Sequence, residues 1–446
     1  MLLKRALGAF FFIGGYDIKY YGRLIDNLDV LTTETVRQTS TGVTHNQQGD
    51  ICQQCGNIDA RFFYTYYSKL LDTEVCYCRK CIQLGRMDNV NQVYQIASEQ
   101  FKSEADYHLP FELSAQQTYA SSEIVAAVTD YNDLLLYAVT GAGKTEMIFE
   151  AIQLARRRGD NVAVVSPRVD VVIEISYRLK DAFTTETIDV LYQGQTQHGG
   201  GHFVIATVHQ LYRFKAHFDV VFVDEVDAFP LAGDPTLNQA LLAACKERHA
   251  IIYMTATPPN DLLQTFDETH IVRLPARFHQ HPLPVPQFQL FKLKSRRRQL
   301  KLMRLFQEQV EQQRYTLVFF NHIETMVQAY AHYQHAFPDL IYVHSEDALR
   351  HDKVQALREG KHRIVFTTTI LERGFTMAQL DAIVVNSHTF KKAALVQIAG
   401  RVGRKKEAPT GRVLFLHGGI TGEMLRARRD IRAMNRLAME RGWIHE

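Results

Sequence analysis

Short apolar runs separated by amphipathic stretches occupy most of the chain after about residue 110. The runs lie at 134–139, 162–165, 203–206, 220–223, 251–254, 316–320, 340–343, 364–367, 382–385 and 413–416. The stretches between them repeat their apolar positions with a helical period. Continuous apolar strands that alternate with helices are typical of a parallel sheet covered on both faces. The pattern therefore predicts an α/β fold.

A proline-rich stretch divides these runs into two sets. Residues 275–286 hold four prolines and two histidines, which interrupt the periodic pattern and predict an interdomain linker. A chain of 446 residues is also too long for a single core. The predicted organisation is an N-terminal region at 1–109, a first α/β domain at 110–280 and a second at 281–446. Around residues 88–105 the sequence predicts a helical connector.

Two basic segments accompany predicted helices. Residues 292–298 read KLKSRRR and enter a helix with an expected apolar face of Leu300, Met303, Phe306 and Val310. Five arginines between positions 426 and 436 line a C-terminal helix. Either segment could follow a phosphate backbone, although a solvated helix face explains each equally well.

The composition is that of a soluble globular protein with an uneven charge distribution. Hydrophobic residues make up 46% and charged residues 22% of the chain, and no apolar stretch approaches the ~20 residues that span a bilayer. The first 284 residues carry 24 basic and 33 acidic side chains, a net charge of −9, and the remainder carries +12. This asymmetry indicates a polyanionic ligand held towards the C-terminal part.

The N-terminus has one feature of an exported protein. A basic pair at 4–5 precedes the apolar residues 6–15, which is similar to a secretory signal, but no small-x-small cleavage site follows. We expect a buried strand or a surface-docking segment here, and a cytoplasmic protein.

Six cysteines are present, and four of them form two closely spaced pairs. Cys52 and Cys55 are separated from Cys78 and Cys81 by 22 residues, which is the spacing of a small zinc ribbon. A disulfide framework and a redox pair are the alternatives. The aromatic residues between the pairs, within 62–67, are expected to supply apolar bulk around the metal. Cys76 is a poorer ligand, because one intervening residue spoils its knuckle turn with Cys78.

A glycine-containing loop follows the first apolar run. Residues 138–145 read AVTGAGKT and precede a helical pattern that begins near Met147. A strand, a glycine loop and a helix in that order form the context of a phosphate-binding loop. An ordinary strand-to-helix turn is the alternative, and the first motif position is Ala138 rather than Gly.

The chemistry of such a loop assigns its residues. Gly141 and Gly143 would let the backbone turn so that its N–H groups converge on an anion. Lys144 would reach the β- and γ-phosphates of ATP, and the Thr145 hydroxyl would bind Mg²⁺. The predicted nucleotide-binding residues of the loop are Gly141, Ala142, Gly143, Lys144 and Thr145.

The apolar run at 220–223 ends in the carboxylates Asp224, Glu225 and Asp227. Asp224 is expected to hold the same Mg²⁺ through its water shell, and Glu225 to orient and deprotonate the attacking water. A solvated acidic turn is the alternative. A catalytic role is favoured because this strand and the strand before the glycine loop belong to one predicted sheet.

Together these sequences resemble the motifs of superfamily-two helicases and translocases. TGAGKT at 140–145, DEVD at 224–227, TAT at 255–257 and QIAGRVGR at 397–404 are similar to motifs I, II, III and VI. SPR at 166–168, TVHQ at 207–210, FFN at 319–321, and TTT at 367–369 with ERG at 372–374 are similar to motifs Ia, Ib, IV and V. The resemblance implies two RecA-like parallel-sheet domains in tandem, preceded here by a small zinc-ribbon-like region.

The resemblance also implies roles for individual residues. Arg401 and Arg404 would act as arginine fingers on the ATP held by the first domain, and Gln397 would join them in catalysis. Gln117 and Gly374 would complete the nucleotide site.

Four further residues would contact nucleic-acid phosphates, which grip the backbone without reading sequence. They are Ser166, Arg168, Thr207 and Thr367. Thr255 and Thr257 would link this surface to the nucleotide. Asp227 stands where some subfamilies have His, so this motif alone leaves the subfamily open.

The four-cysteine region that precedes the helicase motifs indicates a more specific family. CRKCIQLGR at 78–86, YGRL at 21–24 and the spelling of motif II resemble the ComFA-type bacterial late competence ATPases. This resemblance implies a DNA-stimulated ATPase that moves transforming single-stranded DNA into the cytoplasm at the inner face of a membrane uptake channel. It also implies a phosphoribosyltransferase-like competence partner, and a homo-oligomer is compatible with it.

Two alternatives stay open at this point. A primosomal-type replication-restart helicase, or an RNA-remodelling motor, would use the same motifs on another substrate. A DNA-binding adaptor would use ATP only as a conformational switch.

Overall fold

The computed structural model describes residues 19–27, 34–47, 49–372 and 377–444, with the side chain of His351 excepted. The apolar N-terminal segment at 6–15 lies outside these ranges. Within the described residues, no helix has the length and apolar character needed to cross a membrane.

Twenty strands form in the described ranges, and ten of them contain an apolar run of the sequence. They are β1 (Leu24–Ile25), β2 (Val36–Thr41), β3 (Val43–Asn46), β4 (Gly49–Cys52), β5 (Phe63–Ser68), β6 (Thr73–Cys78), β7 (Gln92–Ile96), β8 (Leu134–Ala138), β9 (Val162–Ser166), β10 (Asp189–Leu191), β11 (Phe203–Thr207), β12 (Phe218–Asp224), β13 (Cys245–Thr255), β14 (Ile271–Leu274), β15 (Gln287–Leu290), β16 (Tyr315–Phe319), β17 (Leu340–Val343), β18 (Ile364–Thr367), β19 (Leu380–Val384) and β20 (Val413–His417).

Eleven α-helices lie between these strands in the same described ranges. They are α1 (Ala115–Asp130), α2 (Lys144–Met147), α3 (Phe149–Arg158), α4 (Val169–Ala182), α5 (Pro235–Ala244), α6 (Asn260–Gln264), α7 (Leu300–Glu311), α8 (Ile323–Tyr333), α9 (Arg350–Arg358), α10 (Lys392–Ala399) and α11 (Gly422–Glu440). A short 3-10 helix, Val208–Arg213, follows β11 directly.

The chain divides into two compact units. Unit 1 consists of Met1–Phe111, Ser121–Leu134 and Ile148–Tyr253. Unit 2 consists of Glu112–Ala120, Leu135–Met147 and Met254–Glu446, so it contains the glycine loop together with the C-terminal half of the chain.

The first large sheet has seven strands in the order β10-β11-β9-β12-β13-β8-β14. Its pairs β10–β11, β11–β9, β9–β12 and β8–β14 are parallel. In unit 1, Thr207 pairs with Ser166 and Val223 pairs with Val165, so β9, β11 and β12 end at one edge. Functional side chains at the carboxyl ends of these strands are therefore brought to the same edge.

The second sheet lies in unit 2 and is parallel throughout. Its six strands follow the order β15-β20-β19-β16-β18-β17. Phe306 of α7 anchors its core, with ring centroids 5.6 Å from those of Tyr333, Phe337 and Phe366. The prediction of two parallel-sheet α/β domains is confirmed.

The three strands of the two large sheets that the sequence analysis missed are all edge strands. β10 and β14 end the first sheet, and β15 ends the second. Each has only three or four residues, and β15 reads QFQL with no fully buried position. β14 is interrupted by Arg273, and β10 begins with Asp189, so neither presents the uninterrupted apolar run that predicts the other strands.

Two helix predictions were wrong in different ways. Residues 88–105 contain no helix, and β7 instead pairs between β1 and β2 in a small antiparallel sheet. Helix α7 exists and buries Phe306 as expected, but Leu300 and Val310 are 75% and 40% exposed. Leu302 and Leu305 are buried in their place. Tertiary pairing and packing decided both cases.

Candidate nucleotide site and cysteine centre

The glycine loop has the strained backbone that a phosphate-binding loop requires. Gly141 and Gly143 adopt φ angles of +83° and +78°, in the left-handed region that favours glycine. A Cβ on Gly143 would lie 2.5 Å from Nε2 of Gln117, so a side chain there would displace that contact. Ala138, by contrast, is a fully buried strand residue paired with Leu274, which explains why glycine is not needed there.

Gln117 holds the glycine loop from the first turn of α1. Its Nε2 donates to the carbonyl oxygen of Ala142 at 3.1 Å. Its Oε1 accepts from the backbone N–H of Ser114 at 3.0 Å and from the Ser114 hydroxyl at 2.9 Å. Because Gln117 is 5% exposed, these contacts fix its amide beside the loop rather than in solvent.

Helix α10 connects the last motif to the third. Nε2 of the buried Gln397 donates to Oγ1 of Thr257 at 3.2 Å. The backbone N–H of Thr257 in turn donates to Oγ1 of Thr255 at 2.9 Å. Gln397, predicted to be catalytic, and the two threonines predicted to link the nucleotide to the nucleic-acid surface thus form one buried chain of hydrogen bonds within unit 2.

The loop after α10, residues 400–404, carries Arg401 and Arg404 and is called the arginine-bearing loop. It lies against the glycine loop. A Cβ on Gly141 would lie 3.3 Å from Cγ of Arg404, and a Cβ on Gly400 would overlap Oγ1 of Thr140 at 1.8 Å. Gly400 is therefore required for this close approach. The arginine-bearing loop and the phosphate-binding loop are neighbours in unit 2, so an anion in the glycine loop would be close to the Arg404 side chain.

Arg401 lies deeper in the same loop. It is 3% exposed, and its Nε donates to the carbonyl oxygen of Glu372 at 2.6 Å. Gly374, the remaining residue assigned to the nucleotide site, lies outside the described residues.

Arg277 holds the arginine-bearing loop in place, and the sequence analysis missed it. Its Nη1 donates to the carbonyl oxygens of Val402 and Gly403 at 2.8 and 2.6 Å, and its Nη2 donates to that of Gly400 at 3.1 Å. The guanidinium is completely buried. Burial and the nearby charge of Arg404 lower the pKa of Arg277 to about 9.

The backbone around Arg277 is tied to the glycine loop as well. The N–H of Phe278 donates to the carbonyl oxygen of Gly141 at 3.3 Å, and Nε2 of Gln116 donates to the carbonyl oxygen of Arg277 at 2.6 Å. Two adjacent residues of the proline-rich stretch, Arg277 and Phe278, thus contact both loops. No periodic signal marks them, because the stretch contains no helix or strand.

The acidic motif is at the end of β12 in unit 1. Asp224 is the last residue of the strand, and its Oδ1 accepts from the backbone N–H of Glu225 at 3.0 Å. Glu225 adopts φ +55°, which is uncommon for a residue with a Cβ and marks a constrained turn. The strand end lies beside that of β9, so the carboxylates stand at the edge where parallel strands present functional groups.

Three of the four residues assigned to nucleic-acid contacts end strands, and Arg168 directly precedes α4, but most of these side chains are buried. Ser166 and Thr367 have no exposed surface, and Thr207 is 5% exposed. The Thr367 hydroxyl donates to the carbonyl oxygen of Val343 at 3.1 Å. Arg168 is half-buried and forms two hydrogen bonds to Asp170, at 3.1 and 3.0 Å.

The structure brings together four of the six cysteines. The Sγ atoms of Cys52, Cys55, Cys78 and Cys81 all lie within 4.8 Å of one another, and all four residues are buried. The Cys52–Cys81 and Cys55–Cys78 sulfur distances are 3.5 and 3.7 Å. Sulfur atoms bound tetrahedrally to zinc at 2.3 Å would be separated by about 3.8 Å, so the cluster has the dimensions of a zinc site.

Local structure explains how the cysteines meet. Cys52 and Cys78 end β4 and β6, the second strands of two hairpins, and Cys55 and Cys81 lie in the turns that follow. Cys76 points elsewhere, because its Sγ is 3.5 Å from Oδ2 of Asp50.

The expected apolar shell around the metal was wrong. Tyr64, Tyr66 and Tyr67 are 49%, 36% and 57% exposed, and Phe62 is 38% exposed. Because neighbouring strand residues point to opposite faces, the five aromatic residues within 62–67 cannot all be buried in a hairpin that is covered on one face only.

Three family comparisons divide the chain. Residues 110–260 match the family described as type III restriction enzyme, res subunit, and residues 298–406 match the helicase conserved C-terminal domain. Residues 23–95 match the competence protein ComFA N-terminal domain.

Solved structures share the fold. The Saccharomyces cerevisiae protein described as Dbp5 bound to RNA and ADP BeF3 is 12% identical, with a TM-score of 0.51 over 72% of this chain and 91% of its own. RecG bound to a three-way DNA junction is 19% identical, with a TM-score of 0.51 over 74% of this chain and 47% of its own. The Mycobacterium smegmatis helicase Lhr, bound to ssDNA and AMP-PNP, is 20% identical and has a TM-score of 0.51 over 68% of this chain and 48% of its own.

Two relatives match nearly the whole chain. Competence protein ComFA of Bacillus subtilis (strain 168) is 37% identical over 408 residues, which cover 89% of this chain and 88% of the relative. Competence protein ComFA of Streptococcus pneumoniae (strain ATCC BAA-255 / R6) is 33% identical over 436 residues, which cover 95% of this chain and 99% of the relative. The chain therefore belongs to the competence protein ComFA family and is a competence-associated, ATP-hydrolysing enzyme of the superfamily-two helicase type.

Proposed function

We propose that the protein is a single-stranded-DNA-stimulated ATPase that moves along the strand and thereby draws transforming DNA into the cell. The observation that carries this proposal is the contact between the arginine-bearing loop and the glycine loop, where Arg404 Cγ would lie 3.3 Å from a Cβ on Gly141. A phosphate-binding loop and a candidate arginine finger are thus within reach of one triphosphate. A structural loop would have no need for this pairing.

ATP would be bound by the residues of the glycine loop. Lys144 would neutralise charge on the β- and γ-phosphates. Thr145 and Asp224 carry the hard oxygen ligands that Mg²⁺ prefers, and the ion would draw charge from the phosphate oxygens during transfer. Glu225 would take the proton of the attacking water.

Arg404 would stabilise charge that develops on the transferring phosphoryl group. Arg401 and Gln397 are more deeply buried, and their hydrogen bonds to Glu372 and Thr257 would hold the loop in the orientation that hydrolysis requires. ATP binding would stabilise the assembled loops, and product release would free them, which couples turnover to conformational change.

Single-stranded DNA would bind through its phosphates at the segments that follow β9, β11 and β18. The hydroxyls of Ser166, Thr207 and Thr367 are buried, so the contacts would come from the backbone N–H groups of the turns that these residues begin. Arg168 would exchange its contact with Asp170 for a phosphate. The Lhr relative bound to ssDNA supports this substrate class.

Zinc would be bound by Cys52, Cys55, Cys78 and Cys81 as a structural ion. The four thiolates complete a tetrahedral shell, which leaves no open position for catalysis. The ion would hold together the ends of two short hairpins that are too small to build a core without it.

The same proposal includes location and partners. We place the protein in the cytoplasm at the inner face of a membrane DNA-uptake channel, beside a phosphoribosyltransferase-like competence partner, and in a homo-oligomer. The support for this placement is family membership.

The decisive experiment compares substrates. ATP turnover of the full chain is measured with single-stranded DNA, duplex DNA and RNA, beside movement along a labelled strand. We expect the strongest stimulation by single-stranded DNA, with directional movement. Stronger stimulation by branched duplex DNA would instead favour a replication-restart helicase, and stronger stimulation by RNA would favour an RNA-remodelling motor. Stimulated turnover without movement would favour the adaptor.

A further inference from the structure

The outer face of the β5–β6 hairpin carries three tyrosines in mutual contact. Tyr64 and Tyr66 project from the same side of β5, and Tyr77 is directly opposite Tyr64 on β6. The ring centroids of Tyr64 and Tyr66 are 6.4 Å apart, and those of Tyr64 and Tyr77 are 5.6 Å apart. Tyr64 and Tyr66 are 49% and 36% exposed, so the rings are not part of a core.

We call the surface formed by Tyr64, Tyr66, Tyr77 and Arg86 the tyrosine face, and Arg86 contributes its positive charge. The Arg86 guanidinium lies 4.7 Å from the ring centroid of Tyr77 and 5.6 Å from that of Tyr66. Its Nη2 donates to the Tyr66 hydroxyl at 3.0 Å, and the buried Asp88 holds its Nε at 3.0 Å. The face therefore presents rigid aromatic rings beside an oriented cation.

Charge and position favour a nucleic acid as the occupant of this face. Residues 60–86 hold five basic and two acidic side chains, although the first 284 residues are acidic as a whole. Aromatic rings next to guanidinium groups are the chemistry on which unpaired bases stack, independent of sequence. Duplex DNA offers no free base face, so the favoured form is single-stranded.

The module is also attached to the segment where a strand is proposed to pass. Nζ of Lys215 donates to the carbonyl oxygen of Gln54 in the first cysteine turn at 2.9 Å. Lys215 lies two residues after the 3-10 helix Val208–Arg213, so the first cysteine turn lies beside the segment that follows Thr207. Both groups belong to unit 1.

We propose that the tyrosine face, formed by Tyr64, Tyr66, Tyr77 and Arg86, is a base-stacking site for single-stranded DNA that continues the phosphate contacts after β11. This inference rests on the proposed function. It gives the cysteine module a direct part in holding the strand, because stacking on the tyrosine face would resist backward slippage while the ATPase loops reset.

The test uses the full chain carrying Tyr64→Ala and Tyr66→Ala together. Affinity is measured at one fixed salt concentration for an oligothymidylate and for an abasic strand of equal length, which keeps the phosphates but lacks bases. We expect about a tenfold or greater loss of affinity for the oligothymidylate, since stacking contributes about 1–3 kcal/mol per base. Affinity for the abasic strand should not change.

Three control variants isolate the stacking contribution. The paired Tyr→Phe changes at both positions keep the rings and should bind like the unmodified chain. Tyr177→Ala removes a 71% exposed tyrosine from α4, and Leu70→Ser removes the 94% exposed leucine of the hairpin turn; neither should lower DNA affinity.

Several outcomes would overturn the inference. Equal loss on both strands would mean a general electrostatic or folding effect, and no loss would exclude stacking. Unchanged DNA affinity with impaired DNA uptake in cells would identify a protein-docking face instead. If the unmodified chain shows no stimulation by single-stranded DNA, the proposed function fails. If single-stranded DNA stimulates the unmodified chain, but the double alanine variant keeps its affinity for the oligothymidylate, only this inference fails.

Discussion

The nucleotide region of unit 2 and the cysteine module of unit 1 are stabilised by different kinds of interaction. Both must hold irregular turns in a fixed shape. In unit 2 the glycine loop and the arginine-bearing loop are held by hydrogen bonds from Gln117 and Arg277 to backbone carbonyls. In the cysteine module, two hairpins converge on four sulfur atoms.

This difference shows which interactions fix the conformation of each region. Loops held by buried amide and guanidinium groups are shaped before any ligand arrives, which is what pre-organised catalysis requires. The cysteine module, whose turns converge on four thiols, would depend on the proposed zinc ion for its shape. We therefore expect substitutions in the two loops, and in the residues that hold them, to lower turnover, and loss of metal to act mainly on the cysteine module.

The largest effect is expected for Lys144→Ala. Loss of the ammonium removes the charge that neutralises the β- and γ-phosphates, so ATP turnover should fall to background at saturating single-stranded DNA. Phosphate release measures it. Lys361→Ala, at an exposed lysine of the same unit, is the matched control and should keep full turnover. Normal turnover by the Lys144 variant would remove the glycine loop from the mechanism.

Arg404→Ala should lower turnover about 1,000-fold while ATP binding is retained, because an arginine finger acts mainly in the transition state. Single-turnover hydrolysis and binding of a fluorescent ATP analogue separate the two steps. Arg304→Ala, at an exposed position of α7, serves as the control. A loss of binding as large as the loss of hydrolysis would instead assign Arg404 to ground-state binding.

Arg277→Lys should reduce kcat about 10- to 100-fold with little change in the KM for ATP. Lysine keeps the charge but cannot donate to three carbonyls in a fork, so the arginine-bearing loop would lose its orientation. Steady-state kinetics give the split between kcat and KM. A rise in KM alone would show that Arg277 acts on nucleotide binding.

Cys52→Ser combined with Cys55→Ser should remove about one zinc ion per chain and expose the hairpins to protease. DNA-independent turnover should change little, because no thiol of the cluster holds the glycine loop. Cys76→Ser is the matched control and should keep the metal, since its sulfur contacts Asp50. Full retention of zinc by the double variant would refute the ligand assignment.

The smallest effect on turnover is expected from acid, which should weaken unit 1 where the N-terminal segment meets the sheet. His217 is completely buried, with Nε2 donating to the Gly201 carbonyl oxygen and Nδ1 accepting from the Ser98 hydroxyl. Burial, with the charges of His202, Lys246 and Arg23, lowers the pKa of His217 to about 3.

Because the pKa of His217 is lower in the folded state, its contribution is complete above pH 6.5 and is lost as the pH falls towards 3. The unfolding free energy should fall by about 3 kcal/mol between pH 6.5 and pH 4 from this group. Urea unfolding at several pH values measures it, and His217→Gln should flatten the slope. An identical slope in that variant would exclude His217 as the cause.

Motif residues were more predictable than their surroundings. Gly141 and Gly143 could be assigned because only glycine meets their backbone demand, and the four cysteines because their spacing matches metal geometry. Arg277 could not be assigned, because its role depends on carbonyls more than 120 positions away. The tyrosine face was misjudged for a related reason, since strand alternation places Tyr64 and Tyr66 on a side that nothing in the sequence identifies as open.

The sequence by itself determined the two parallel sheets, the order of the motifs and the cysteine pairs, since each depends on residues close together in the chain. Only the tertiary structure decided the edge strands, the inward face of α7, the contact of Arg404 with the glycine loop and the exposure of the tyrosine face. Each of these depends on which distant segment packs against a given surface. The local pattern of apolar and polar residues does not determine which distant segment packs there.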